Sequence, residues 1–395
     1  MSKAIILGGS LGGLTTALFL REGGCSVTVY ERSSTPLVGL GAGIVLNPAT
    51  VRYFTRSKVF DVKAMSTSAH WLRYLDRSSR VVAEQPCAYR FSSYNAIYRE
   101  LYAAFGTDTY LLGEAGIAFQ QTKTTVNVQL GSGRMDSCDL LVCADGIRST
   151  ARTHLLPETP MNYAGYVAWR GIVDENMVTP NVLGALSDAI TYCLLPNSHM
   201  LVYPIPVADS KSRKMRPSLN WLWYRNVPAG PPLANLLTDR AGVLRDVSLG
   251  AGAVQEKNIA ALHQDANHQL PQLLAELVLA TNQPFIQAVM DCEVSRMAFG
   301  RVCLIGDAAF VARPHAAAGT AKAAEDGWQL AQAIQTSPGD VVAALQRWEP
   351  AQVALGRQVL ARTREAGRRA QVDNTWRIGD PLPFGLHSIG DSTML

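Results

Sequence analysis

The segment Gly8-Gly9-Ser10-Leu11-Gly12-Gly13 follows an apolar run, Ala4-Ile5-Ile6-Leu7, and opens a stretch rich in Leu, Ala and Thr. A strand that turns into a helix through glycines aims free N–H groups and the positive end of the helix dipole at one spot, an arrangement that holds pyrophosphate. Glu31 comes eighteen residues after Gly13, at the end of a second apolar run over 25–30, where an acid binds ribose hydroxyls, and Arg32 follows it. Gly8, Ser10, Leu11, Gly13, Glu31 and Arg32 are therefore expected to hold a dinucleotide. Ser10 stands where the G-x-G-x-x-G pattern has its middle glycine, and its hydroxyl is expected to donate to phosphate.

Two further strand-like runs end in carboxylates. Residues 139–144 lead into Asp145-Gly146, with Arg148, Ser149 and Arg152 behind them, and 301–305 lead into Gly306-Asp307. Open α/β sheets bind ligands beyond the carboxyl ends of their strands, so Asp145, Gly146, Gly306 and Asp307 are expected beside one ligand. Arg99, near the start of a predicted helix, suits a phosphate. No second glycine fingerprint follows, so no separate domain for a nicotinamide cofactor is expected.

In this order, and with Gly43-Ile44, the strand-like 166–171 (YVAWRG), Tyr203-Pro204-Ile205-Pro206 and 314–319 (PHAAAG), the motifs resemble the single-domain (group A) FAD-dependent aromatic hydroxylases. Within that family the likeness is to the 2,6-dihydroxypyridine 3-hydroxylase type, and it runs from Lys3 to beyond Leu330. The resemblance implies an α/β fold in which a Rossmann-like FAD-binding domain carries an inserted, mainly β-sheet substrate domain. It places Gly8, Gly13 and Glu31 at the ADP half of FAD, Arg99 at its pyrophosphate and Asp307 at the ribityl chain. Asp145 and Gly146 would touch both FAD and a passing NADH or NADPH. Gly41 to Ile44 would line the flavin, and Pro314, Gly319 and Thr320, with Asp326, would form the loop and helix start under the isoalloxazine. The chain departs from the family at Ala317-Ala318-Gly319-Thr320-Ala321, where G-Q-G-x-N is usual, and loses an asparagine side chain there.

The implied reaction is hydroxylation of a small electron-rich aromatic or N-heteroaromatic substrate by O2, through a flavin C4a-hydroperoxide. Such a reaction favours an ionised ring, so a proton acceptor is expected in the site. His315 is the first candidate, with loop capping as its structural alternative, and Tyr203 is the second. Tyr192, His199, Trp169, Arg170 and Tyr224 lie on predicted strands of the substrate sheet, where alternation sends about half of the side chains to the other face. Three other readings stay open: a salicylate- or hydroxynicotinate-like hydroxylation that expels carboxylate, a flavoprotein reductase, and an FAD-binding redox sensor.

The order of elements predicts an FAD-binding domain from 1–70, 98–160 and 295–372, a substrate domain from 71–97 and 161–294, and a tail over 373–395. Residues 208–217 read as a polar, basic loop. The net charge of +4 is slight, and the arginine-rich 357–369 reads as a solvated helix face, so neither nucleic acid nor membrane is an expected partner. No run approaches the ~20 apolar residues that span a bilayer. The seven cysteines show no C-x-x-C pair or metal-ligand spacing and read as buried thiols, with no metal expected. A cytoplasmic protein is the resulting expectation, and the family resemblance implies a homodimer.

Overall fold

The computed structural model describes residues 2–39, 42–208 and 215–391. Its first sheet grows from the apolar run at the N-terminus: the strand Lys3–Leu7 pairs in parallel with Ser26–Glu31 on one side and Leu140–Cys143 on the other. Val302–Leu304 continues the parallel order beyond Leu140–Cys143, and Tyr110–Leu112 continues it beyond Ser26–Glu31. Register sets the site here, because Leu7 lies opposite Cys143 and Cys143 opposite Leu304. The turns that follow these strands, at Gly8, Asp145 and Gly306, therefore emerge side by side at one sheet edge.

The strands are buried on both faces, as parallel strands under helices are. Helix Leu11–Glu22 packs against Gly319–Gln335 and Tyr94–Phe105. It starts inside the glycine segment and ends at Gly23, with Gly24 at φ +85 completing the stop.

The second sheet has ten strands, including Ala189–Leu195, Ser198–Ala208, Met215–Asn226, Asn162–Asp174 and Phe285–Glu293. Its two faces carry two different cores, as the period of two requires. Trp169, Trp221, Trp223, Met200 and Val202 point to one face, where the helices Glu256–Gln269 and Gln272–Leu279 contribute Leu262, Leu273 and Leu274 to the same core. Tyr166, Ala168, Tyr192, Tyr203, Leu222 and Tyr224 point to the other. Residues 67–70, assigned above to the first segment of the FAD-binding domain, begin the strand Thr67–Leu75 of this second sheet.

The 31-residue helix Val341–Gln371 runs between the two sheets, and the chain after it turns back over the tyrosine face. That returning segment has no regular structure and is fastened by Arg369 to Asp380, by Arg362 to the Pro383 carbonyl (3.1 Å) and by Gly385 N–H to the Ala316 carbonyl (3.1 Å). The predicted loop at 208–217 lies mostly outside the described residues, as does Gly41. No helix among the described residues is long and apolar enough to cross a membrane, and no cluster among them suits a metal ion. All seven cysteines are free, six of them buried and Cys87 partly so.

Candidate active site

At the shared edge of the first sheet the glycines are required by contact. Gly8 adopts φ +101, and a Cβ on it would meet the Ala144 carbonyl oxygen at 2.3 Å. A Cβ on Gly13 would sit 1.9 Å from the Gly8 carbonyl oxygen, so only glycine lets the helix start this close to the strand. Leu11 is turned into the sheet core. Glu31 accepts from Gly9 N–H at 2.8 Å and Ser33 N–H at 2.9 Å, which braces the turn.

Ser10 meets a partner that the sequence does not announce. Its hydroxyl lies 2.8 Å from the Tyr94 hydroxyl and makes no cap bond to its own helix. The N–H groups at this helix start have no side-chain cap and can face a phosphate.

Asp145 accepts from Ala151 N–H through Oδ2 at 3.2 Å, while its Oδ1 is buried and has no partner, an acceptor aimed at a missing donor. Gly146, at φ +78, turns the chain beside it. Arg152 binds the Asp307 and Ala308 carbonyls, both at 3.1 Å, and so locks the two carboxylate-bearing turns together. The Asp307 side chain stands open to the cleft, and the surrounding protein pushes its carboxyl up to about 6, with Arg152 pulling the other way.

Asp326 corrects an expectation: it is fully buried inside the helix Gly319–Gln335, accepts from Gly306 N–H at 2.9 Å and pairs with the buried Lys322 at 2.5 Å. It is a strut behind the cleft, because its place near the middle of that helix carries it away from the helix start. Arg32 is exposed and lines a second cleft beside Arg148, Arg245 and Asp307. Arg99, on Tyr94–Phe105, is partly buried and lines neither cleft.

An open helix start, two glycines at backbone contact, an orphan acid oxygen and an acid open to the cleft together fit the pyrophosphate and sugar hydroxyls of FAD.

The same cleft widens into a chamber of about 610 Å³ over the tyrosine face of the second sheet. Gly43, Ile44, Pro314, Gly319 and Thr320 form its rim, and Tyr192, His199, Tyr203, Tyr224, Arg170 and His315 its wall. Trp169 does not reach it: one residue before Arg170 on the same strand, it points into the opposite core with Trp221 and Trp223.

Tyr203 stacks on Phe91 with ring centroids 4.5 Å apart, and burial pushes its hydroxyl up to about 12. Gly43 makes room for it, since a Cβ there would sit 2.8 Å from the Tyr203 hydroxyl oxygen. His199 stacks on Tyr224 at 4.6 Å, and its Nδ1 accepts from Gln371 Nε2 at 2.8 Å. Burial holds the His199 imidazole well below its usual range, so it is neutral.

His315 Nε2 lies 2.7 Å from the Tyr166 hydroxyl. Burial first, then the Arg313 guanidinium, lowers the His315 imidazole to about 3, while burial raises the Tyr166 hydroxyl to about 12. Tyr166 therefore stays a phenol and His315 a neutral imidazole, joined by this one hydrogen bond. Gly367 on the long helix closes the cluster, because a Cβ there would meet the Tyr166 oxygen at 2.3 Å and Arg313 Nη1 at 3.2 Å.

Sequence reasoning missed Tyr166, Arg313, Gly367 and Gln371, and the chamber wall supplied by Trp376 and Phe384 of the returning tail. Tyr166 was within reach, since it shares strand parity with Arg170; the tail carries no periodicity to read.

The chain matches the FAD binding domain family model over residues 1–223 and an FAD binding domain-like model over 163–291. It is 36% identical over 395 residues to a 2,6-dihydroxypyridine 3-monooxygenase of Paenarthrobacter nicotinovorans, covering 100% of this chain and 98% of that one. It is 27% identical over 399 residues to an FAD-dependent urate hydroxylase of Klebsiella pneumoniae, covering 95% and 93%. The solved 2,6-dihydroxypyridine-3-hydroxylase of Arthrobacter nicotinovorans superposes with a TM-score of 0.93 at 35% identity, over 100% of this chain and 99% of that one. A salicylate hydroxylase substrate complex shares the fold alone, with a TM-score of 0.74 at 18% identity and coverage of 97% and 92%.

Proposed function

From its membership of the FAD binding domain family, whose members similar to it are monooxygenases, we propose that this enzyme acts on a dihydroxypyridine. It is an FAD-dependent monooxygenase that hydroxylates a small electron-rich aromatic or N-heteroaromatic ring with NAD(P)H and O2. The observation that carries the finer reading is the full-length likeness to a dihydroxypyridine monooxygenase, joined to a chamber walled by tyrosine and histidine rings.

FAD held there would supply the redox chemistry, namely reduction by NAD(P)H and transfer of one oxygen atom of O2 to the ring. The chain's own residues then do three things. The glycine turns and the open start of Leu11–Glu22 hold the pyrophosphate, and Asp307 and Asp145 take the sugar and chain hydroxyls. The stacked pairs Tyr203–Phe91 and His199–Tyr224, with Trp376 of the tail, orient a flat ring and keep water out. His315, which the sequence offers as the proton acceptor, is too weak a base for that role at neutral pH and serves as a hydrogen-bonding partner fixed by Tyr166.

A homodimer, a cytoplasmic location and the domain division given above belong to this proposal and rest on the family likeness; sedimentation of the purified protein checks the dimer. Turnover of 2,6-dihydroxypyridine under ¹⁸O2 checks the reaction. One labelled oxygen in a trihydroxypyridine product is the expected result, and NAD(P)H oxidation that yields only hydrogen peroxide with every hydroxypyridine refutes the substrate class.

A further inference from the structure

Arg170 is a cation without an anion. It lines the chamber, where its Nη1 bonds to the neutral Gln287 Oε1 at 3.0 Å and its Nε is buried with no partner. No carboxylate among the described residues pairs with it. The other two arginines of the chamber wall are committed, Arg369 to Asp380 and Arg362 to the tail carbonyls of Pro383 and Gly385. A partly buried guanidinium with an idle donor favours an anionic partner; the two carboxylates that also line the chamber, Asp307 and Glu365, make no ion pair with it, and the partner left is a ligand.

We propose that Arg170 seats the substrate as an aryl oxyanion already formed in solution, so that the charge enriching the ring arrives with the substrate and is held by the guanidinium. This rests on the hydroxylase reading and names the ionic form that the site selects. The proton passes to bulk water before binding, and no group of the chamber has to accept it.

The groups facing Arg170 agree with that assignment. Tyr203 and Tyr224, on the two strands beyond its own, feel its positive charge, yet burial outweighs it and leaves both as phenols able to donate. Gln287 and Phe285 on the strand Phe285–Glu293 are neutral, with Phe285 lying under the guanidinium at 5.8 Å. The chamber histidines, His199 and His315, are held neutral far below pH 7.

The test uses FAD-loaded protein without oxygen or nicotinamide cofactor, titrated with 2,6-dihydroxypyridine from pH 5 to 9 while the ligand's own ultraviolet spectrum is followed. In the unmodified protein the bound ligand is expected to show its anion spectrum even where the free ligand is neutral. Its apparent Kd is expected to tighten about tenfold per pH unit up to the ligand's own pKa and then level off. Arg170→Gln, checked for FAD content and melting temperature, is expected to weaken binding about 100-fold, in line with losing a charge-assisted hydrogen bond, and to abolish the anion preference. Arg170→Lys should restore the anion spectrum with part of the affinity. A neutral ligand bound by the unmodified protein overturns the proposal without reference to any variant, as does an Arg170→Gln protein that binds the anion within threefold of normal. Failure of the hydroxylase reading looks different: anion binding persists while no oxygen enters any product.

Discussion

The hydroxyl of Tyr166 and Nε2 of His315 lie 2.7 Å apart, and this contact decides what the histidine can do. With Arg313 beside it and protein on all sides, the ring stays neutral, and its Nε2 is held by the tyrosine hydroxyl. Tyr166→Phe leaves that buried nitrogen without its partner, a change that costs about 1–3 kcal/mol. We expect a lower melting temperature and roughly a tenfold loss of kcat/KM, with the rate of flavin reduction in the absence of substrate unchanged. Stopped-flow and thermal melting measure both.

The same burial makes stability depend on pH. The His315 imidazole has a pKa of about 3 in the fold against a usual value near 6.5, and His199 is shifted in the same direction. Between those values the unfolded chain binds protons that the folded one refuses, so stability is complete above about pH 6.5 and is lost as the pH falls toward 3. Asp307, raised to about 6, works in the opposite direction, losing stability as pH rises toward 6, but its carboxyl is open to the cleft and its contribution is smaller. A melting temperature that declines steadily from pH 6.5 to 4.5, with a shallower decline in His315→Asn, is the expected result of a calorimetric series.

Ser10→Gly restores the usual glycine of the phosphate turn. The backbone N–H groups at the helix start are open and Ser10 already shares a hydrogen bond with Tyr94, so FAD affinity is expected to change by no more than about threefold, which fluorescence titration of the apoprotein reads directly. Gly13→Ala is the opposite case. Its Cβ would fall 1.9 Å from a backbone oxygen, a clash no side-chain rotation relieves, and the protein is expected to be purified without FAD or not to fold.

Trp169→Leu probes the face of the sheet. Removing a large buried ring costs about 3 kcal/mol, which should appear as a lower melting temperature. The KM for substrate should stay within about twofold, because the ring packs with Trp221 and Trp223 behind the sheet, away from the chamber.

The cofactor half of the molecule was legible because its chemistry is local: glycines followed by a helix, and acids at strand ends, sit at fixed distances along the chain. Strand order and register then bring Gly8, Asp145 and Gly306 together, as the pattern of buried strands led one to expect. The substrate half was legible only by kind. Tyr203, Tyr192, His199, Arg170 and Tyr224 do line the chamber, but mixed apolar and aromatic strands conceal parity, so Trp169 was counted with them although it faces away. Side-chain partners across more than a hundred residues, such as Tyr166 with His315 or Gln371 with His199, leave no trace in spacing. Nor does a tail without periodicity announce that Trp376 and Phe384 will complete the wall.

Anaerobic stopped-flow reduction of the FAD-loaded enzyme by NADH or NADPH, with and without 2,6-dihydroxypyridine, followed by admission of oxygen, decides whether the enzyme hydroxylates a dihydroxypyridine. Substrate is expected to accelerate flavin bleaching, and oxygen then to return oxidised flavin with one equivalent of hydroxylated product. Tightly bound FAD that neither nicotinamide cofactor bleaches, with substrate present or absent, would contradict the hydroxylase reading.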